Sequence, residues 1–249
     1  MPELLEIPFS PWSEKARWAL QITGVQYTSR VYRPLIDELA LRKLLGRWSG
    51  RVSVPVLRDG DAIVEGSLEI ARWADRATGG GLLFPVGEEA RVVNYSDLSE
   101  RAMAAGRALG LPRLLASPEA LLEMVPRPLR ARPRVATALA SFGVRRTLRK
   151  YQGHRRTPEE SLREVTDALD VLRYDLAQSP SRGEPRTLLA ELSYADVAMA
   201  GVLVCVRPPS SGIRMGPASR AAFELPGLAA RYADLLGWRD ALYARYRRP

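Results

Sequence analysis

Short apolar segments alternate with amphipathic ones over the first third of the chain. Residues 3–7 form an apolar segment that predicts a strand, and the apolar positions within 16–22 recur at helical spacing. Residues 27–32 alternate polar and apolar positions, as a half-buried strand does, whereas residues 35–45 have the spacing of a helix. The pattern predicts the order strand, helix, strand, helix.

A hairpin and a third helix continue this pattern. Apolar residues 54–57 and 62–64 flank an Asp-Gly turn, which is typical of two antiparallel strands. Residues 67–77 then return to helical spacing. We therefore predict a βαβαββα domain over residues 1–84, closed by a Pro- and Gly-containing linker.

The remainder of the chain predicts helices only. Residues 88–109 are rich in alanine, and residues 158–178 carry apolar side chains at helical spacing. The longest apolar run, 197–206, is about half as long as the roughly 20 residues that cross a bilayer, and the helix over 195–206 that contains it is apolar on all sides, so we expect a buried helix. The second domain is predicted to be all-α over residues 88–249.

A capping box precedes that apolar helix. In Ser193-Tyr194-Ala195-Asp196 the serine side chain can accept from the backbone N–H of Asp196, and the carboxylate can reach back to the N–H of Ser193. We assign Ser193 and Asp196 a structural role as this cap.

Composition excludes several kinds of chemistry. The single cysteine, Cys205, forbids an intramolecular disulfide, and with one histidine, His154, the chain has no paired-histidine or zinc-cluster motif, so no metal is expected. Neither of the common glycine-rich nucleotide motifs is present. The first residues resemble no secretory signal, and we expect a cytoplasmic protein.

The sequence Ser10-Pro11-Trp12-Ser13 lies at the first strand–helix junction. Ser10 suits a helix N-cap with proline at the first helical position. A helix N-terminus also favours an anion, including a thiolate, to which a serine hydroxyl can add one hydrogen bond. The residues alone favour the role of cap over that of anion binding.

Taken together, these elements resemble the cytosolic glutathione transferases. The resemblance is to a divergent, bacterial-like member with a serine-type site, and it implies a thioredoxin-like α/β N-terminal domain plus an all-α C-terminal domain. The motifs that carry it are S-P-W-S, Val54-Pro55 before the hairpin, Ser67-x-x-Ile70 and Ser193-x-x-Asp196.

The resemblance implies a catalytic role for Ser10, which takes the place of the family's catalytic serine or cysteine and would stabilise the glutathione thiolate. Ser13 stands where redox relatives have a second cysteine, so dithiol chemistry is absent. Trp12, Ser13 and Lys43 are secondary candidates for the site.

For glutathione itself, the resemblance implies binding by Val54 and a cis Pro55, by Glu65 and by Ser67. Relatives usually have an acid directly before this serine, but here Gly66 intervenes and Glu65 is one place early. The cation for the glycyl carboxylate is expected to be Arg51, with Lys43 and Arg47 as alternatives.

The positive charge is concentrated in one segment. The chain has a formal net charge of +9, and ten Lys or Arg with no acid fall within residues 127–156. Compared with the family, a segment of about residues 110–157 resembles an insertion. We expect it to contain a helix over 135–150 with Val135, Leu139, Phe142 and Leu148 on its apolar face. We favour a solvated helix over the active-site cleft; docking to a membrane or partner and binding of nucleic acid are the alternatives.

The predicted function is a glutathione-dependent transferase or isomerase. Its partners would be glutathione, as co-substrate, and a small electrophile, which includes an anionic one among the options. The resemblance implies a homodimer. The alternative is a non-catalytic binding or scaffold protein of the same fold, with attachment to a membrane surface through the Arg-rich segment as one option. Nucleic acid is not an expected partner, and membrane association is not favoured.

Overall fold

The computed structural model describes residues 1–151 and 156–247. The single histidine, His154, lies outside this part of the chain. The first part contains, in chain order, β1 (Glu3–Glu6), α1 (Pro11–Ile22), β2 (Thr28–Val31), α2 (Glu38–Leu44), β3 (Val56–Asp59), β4 (Ala62–Glu65) and α3 (Ser67–Ala77). The predicted βαβαββα order is confirmed.

The four strands form one mixed sheet in the order β2-β1-β3-β4. Strand β1 pairs parallel to β2 and antiparallel to β3, with Leu4 opposite Leu57, and β3 pairs antiparallel to β4. Leu4, Leu57 and Ile70 are fully buried between the sheet and helices α1 and α3. This packing places the N-terminus of α1 at the carboxyl end of β1.

The rest of the described chain is helical. The helices are α4 (Glu89–Leu115), α5 (Pro118–Glu123), α6 (Pro133–Tyr151), α7 (Pro158–Ala177), α8 (Tyr194–Val204), α9 (Pro217–Phe223), α10 (Pro226–Arg231) and α11 (Ala233–Tyr246). A short 3₁₀ turn at Arg127–Ala131 lies between α5 and α6. Every residue of α8 is buried, as its uniformly apolar sequence predicts. None of the helices described combines the length and apolarity that a membrane crossing needs.

The capping box is present at the start of α8. The Asp196 carboxylate accepts from the backbone N–H groups of Ser193 at 2.9 Å and Leu188 at 2.7 Å. Asp196 is fully buried, and this burial raises the pKa of its carboxyl to about 6 despite those hydrogen bonds. The cap therefore also fixes the loop before α8.

Helix α4 is longer than the sequence predicted. It was expected to end at Leu109 but continues through Pro112 to Leu115. Leu111 and Leu114 are buried on this extension, and Gly110 lies against the ring of Phe223. The free energy gained from this packing therefore outweighs the cost of the backbone hydrogen bond that is missing at Pro112.

The helix predicted over 135–150 is present as α6, but most of the apolar residues predicted to share its face are exposed to solvent. Val135 and Phe142 are each 58% exposed, and Leu139 is exposed as well, whereas Leu148 packs against the core. The buried residues of the helix are Ala136, Ala140 and Val144. These side chains recur every four positions and are small, so α6 can approach α5 closely, and the larger apolar residues are left facing solvent.

Candidate functional site

A cavity of about 510 Å³ lies between the sheet domain and the helices. Its walls come from the start of α1, the segment before β3, the β4–α3 junction, α4 and α6. Of the residues predicted from the sequence, six line it: Ser10, Trp12, Val54, Pro55, Glu65 and Ser67. Each wall has a separate chemical character.

Ser10 is the N-cap of α1. Its backbone is extended, Pro11 is the first helical residue, and its Oγ accepts from the N–H of Ser13 at 3.5 Å. That bond uses a lone pair on the oxygen, so the hydroxyl hydrogen is available for a second partner. The cap and an anion-binding role therefore do not exclude each other, and the positive end of α1 faces the same cavity.

The segment before β3 forms the next wall. The Val54–Pro55 peptide bond is cis, as the resemblance implied, and Ser53 lies beside it on the cavity. The carbonyl of Pro55 accepts from the N–H of Gly66 at 3.0 Å, so this wall is bound directly to the β4–α3 junction.

Gly66 lies directly before Ser67, at the position where the family's pattern has an acid. It has φ +85°, a left-handed conformation that favours glycine, and a Cβ there would meet nothing within 4 Å, so the backbone conformation and not crowding calls for glycine. Glu65 lines the cavity but is exposed and forms an ion pair with Arg47. Ser67 begins α3 and is buried.

Four residues predicted for the site do not line this cavity in the part of the chain that the structure describes, and one of them is Arg47, which pairs with Glu65. Ser13 is buried, and its Oγ accepts from the N–H of Ile7 at 3.1 Å within the turn before α1. Lys43 borders a separate surface depression beside Glu3. Arg51 is exposed.

One face of α4 lines the cavity with residues that the sequence analysis missed. They follow one another three or four positions apart: Asp97, Glu100, Ala104, Arg107 and Leu111. Helical periodicity marks them as one face, but nothing in the sequence tells which neighbour that face meets.

Glu100 connects this wall to α1. Its carboxylate accepts from Trp12 Nε1 at 2.5 Å and from the buried Lys15 ammonium at 2.7 Å. Burial lowers the pKa of Lys15, although Glu100 partly offsets the effect. The Trp12 ring is thus fixed at the entrance of α1, two positions after Ser10.

Helix α6, from the basic segment, covers the cavity. Arg146, Thr147, Lys150 and Tyr151 line it, and the Lys150 ammonium donates to the Val52 carbonyl at 2.5 Å. Burial lowers the pKa of Lys150, and neighbouring arginines lower it further. The basic segment therefore contributes directly to the cavity wall.

Comparisons with known proteins agree with this geometry. Residues 9–77 match the model of the glutathione S-transferase N-terminal domain. No curated protein matches the chain.

Solved structures share the fold over nearly the whole chain. A glutathione transferase from Phanerochaete chrysosporium has a TM-score of 0.65 at 19% identity, covering 99% of this chain and 98% of its own. A glutathione S-transferase from Methylobacillus flagellatus with glutathione bound has a TM-score of 0.62 at 17% identity, covering 99% and 96%. One from Ceriporiopsis subvermispora in complex with glutathione has a TM-score of 0.61 at 17% identity, covering 98% and 94%.

Proposed function

We propose that this protein is a glutathione-dependent transferase or isomerase. It has the glutathione transferase fold, and its residues 9–77 match that family's N-terminal domain. The observation that carries the proposal is Ser10 at the N-terminus of α1, opening on a cavity that Val54, cis Pro55 and Ser67 also line. Glutathione would bind there with its sulfur toward Ser10.

The chemistry needs no nucleophile from the protein. The Ser10 hydroxyl and the end of α1 would stabilise the thiolate of bound glutathione, and a stabilisation of about 2.7 kcal/mol lowers a thiol pKa by about two units. The thiolate then forms a carbon–sulfur bond to the electrophile. In a substitution, the leaving group departs with the electron pair of the bond that breaks; in an addition, the π electron pair of the double bond moves to the far atom, which takes a proton from water. Ser10 is therefore a hydrogen-bond donor in this scheme.

The two ends of glutathione require opposite charges. Ser67, with its N–H at the start of α3, suits the γ-glutamyl carboxylate. Glu65 is already paired with Arg47, whereas Asp97 lines the cavity and has no ion pair with any residue that the structure describes. We assign the γ-glutamyl ammonium to Asp97 first, and Arg51 stays a prediction for the glycyl carboxylate.

Ser10→Ala tests the proposal. We expect kcat/KM for a generic electrophile to fall about 10- to 100-fold, the value of one charge-assisted hydrogen bond of about 1.5–3 kcal/mol, and the pH–rate profile to move to higher pH because the thiol is less acidic. Ser117→Ala is the matched control, since Ser117 also caps a helix before a proline but does not line the cavity. Unchanged kinetics in the Ser10 variant would leave Ser10 as a cap only.

A non-catalytic binding protein is the second candidate. The Glu65–Arg47 ion pair favours this second candidate. Glu65 is the acid nearest to the position that relatives use for glutathione, and in this protein Arg47 already engages its carboxylate. Calorimetric titration separates the two functions: no heat at millimolar glutathione would exclude the transferase. A homodimer and a cytoplasmic location remain predictions.

A further inference from the structure

We propose that Arg107 is the anion-binding residue for the second substrate, and that this substrate is a small electrophile bearing a carboxylate. The inference rests on the proposed function, because it concerns the same cavity, but it names a substrate class that the fold does not specify. Arg107 lies on the cavity face of α4, three positions after Ala104 and four before Leu111.

Two aromatic rings hold the Arg107 guanidinium. Its central carbon lies 4.7 Å from the centroid of the Trp12 ring and 3.8 Å from that of Tyr151. A guanidinium that contacts ring faces still has N–H groups along its edge, and these match the two oxygens of a carboxylate. Because Trp12 follows Ser10 by two positions, the rings place this donor near the proposed thiolate.

The charges of the cavity leave Arg107 available. Four lining carboxylates each form an ion pair with another cation: Glu38 with Arg42 and Arg146, Glu65 with Arg47, Glu69 with Arg72, and Glu100 with Lys15. Arg107 has no ion pair with any residue in the described ranges, and Lys150 donates to a backbone carbonyl. Asp97 lies ten positions earlier on α4, about 15 Å along the helix axis.

The environment of Arg107 strengthens its attraction for an anion. Burial is the main cause that lowers the pKa of the guanidinium, and water therefore competes less for its N–H groups than at an exposed arginine. Apolar side chains line the cavity beyond α4, including Phe9, Met215 and Phe223. This combination fits an aromatic or unsaturated body with one carboxylate.

A matched pair of electrophiles tests the inference. The probes are 4-chloro-3-nitrobenzoate and its neutral methyl ester. In both, the glutathione sulfur bonds to the ring carbon that carries chlorine, and chloride leaves with the electron pair. The ester is the more reactive compound in solution, so the quantity to compare between protein variants is the ratio of kcat/KM for the acid to that for the ester.

We expect Arg107→Met to lower this ratio about 10- to 100-fold, the value of a charge-assisted hydrogen-bond pair. Arg107→Lys keeps the charge without the planar fork and should give an intermediate ratio. Arg101→Met is the control, because Arg101 is exposed on the same helix and pairs with Glu164 outside the cavity. Its ratio should equal that of the wild type.

The outcomes separate this inference from the proposed function. Turnover of both probes with an unchanged ratio in Arg107→Met would overturn the inference and leave the transferase standing. An equal loss for acid and ester together with weaker glutathione binding would assign Arg107 to glutathione instead. If neither probe reacts, calorimetry with 3-nitrobenzoate still decides: binding lost in Arg107→Met and kept in Arg101→Met supports the anion site, and binding unchanged in both overturns it.

Discussion

The cap of helix α8 provides a quantitative test of how burial changes the value of a familiar motif. In the wild type, the Asp196 carboxylate accepts from the backbone N–H groups of Leu188 and Ser193 at 2.7 and 2.9 Å, and Asp196→Ala removes this acceptor. Asp196 and Ser193 are both fully buried, so water has no access to replace the lost oxygen atoms.

Two opposing terms set the magnitude. Each stranded buried N–H costs about 1–3 kcal/mol, which is about 2–6 kcal/mol for the pair. Against this, burial raises the pKa of Asp196 from 3.8 to about 6, so the ionised carboxylate destabilises the folded state by about 3 kcal/mol at pH 7, and the substitution removes that charge. The difference spans about −1 to 3 kcal/mol, so we expect a net loss near its midpoint, about 1 kcal/mol, in the free energy of unfolding at pH 7.

The loss should grow as the pH falls. Between the unfolded-state pKa and the higher folded-state pKa, the folded wild type binds more protons than the unfolded chain, so Asp196 contributes more stability at lower pH. From pH 7 to pH 5 this adds about 1 kcal/mol to the difference between wild type and Asp196→Ala. Other carboxyls are present in both proteins and largely cancel in the comparison.

Urea denaturation at pH 7 and pH 5 measures both effects. The chain offers a control in the second capping box, where the exposed Glu160 accepts from the N–H of Thr157 at 2.8 Å. Water can replace that carboxylate, so Glu160→Ala should cost only about 0.5–1 kcal/mol. Equal losses at pH 5 for the Asp196 and Glu160 variants would refute the reasoning from burial, and so would an Asp196 variant of full stability that lacks activity.

Two further predictions concern packing and buried charge. Gly110→Ala should lower the free energy of unfolding by about 1–3 kcal/mol because the new Cβ would overlap the Phe223 ring. Gly227→Ala, whose Cβ would meet open space, should leave stability unchanged or raise it by up to about 1 kcal/mol. Equal thermal stability of the two variants would contradict this prediction. Arg17→Met should cost about 3–5 kcal/mol in urea denaturation because it leaves the buried Glu6 carboxylate without its cation, while Glu14 keeps its ion pair with Arg247. A loss below about 1 kcal/mol would argue against that ion-pair network.

Local features of the fold were accessible from the sequence. The βαβαββα order, the start of α1 after Ser10 and the cap at Ser193 and Asp196 depend on side-chain periodicity or on hydrogen bonds between residues a few positions apart. Such interactions can be inferred from residue type and spacing alone, because the backbone geometry of a helix or hairpin determines which neighbours meet.

Other features required the tertiary structure. The role proposed for Arg107 depends on its contacts with Trp12 and Tyr151, which are far away in the chain, and Glu65 is engaged because Arg47 reaches it from the loop after α2. The apolar face of α6 was predicted from helical spacing, but the residues that the folded protein buries on this helix are smaller ones on another face. Helical spacing shows which side chains share a face; what that face packs against depends on contacts between distant segments, which form only when the elements assemble.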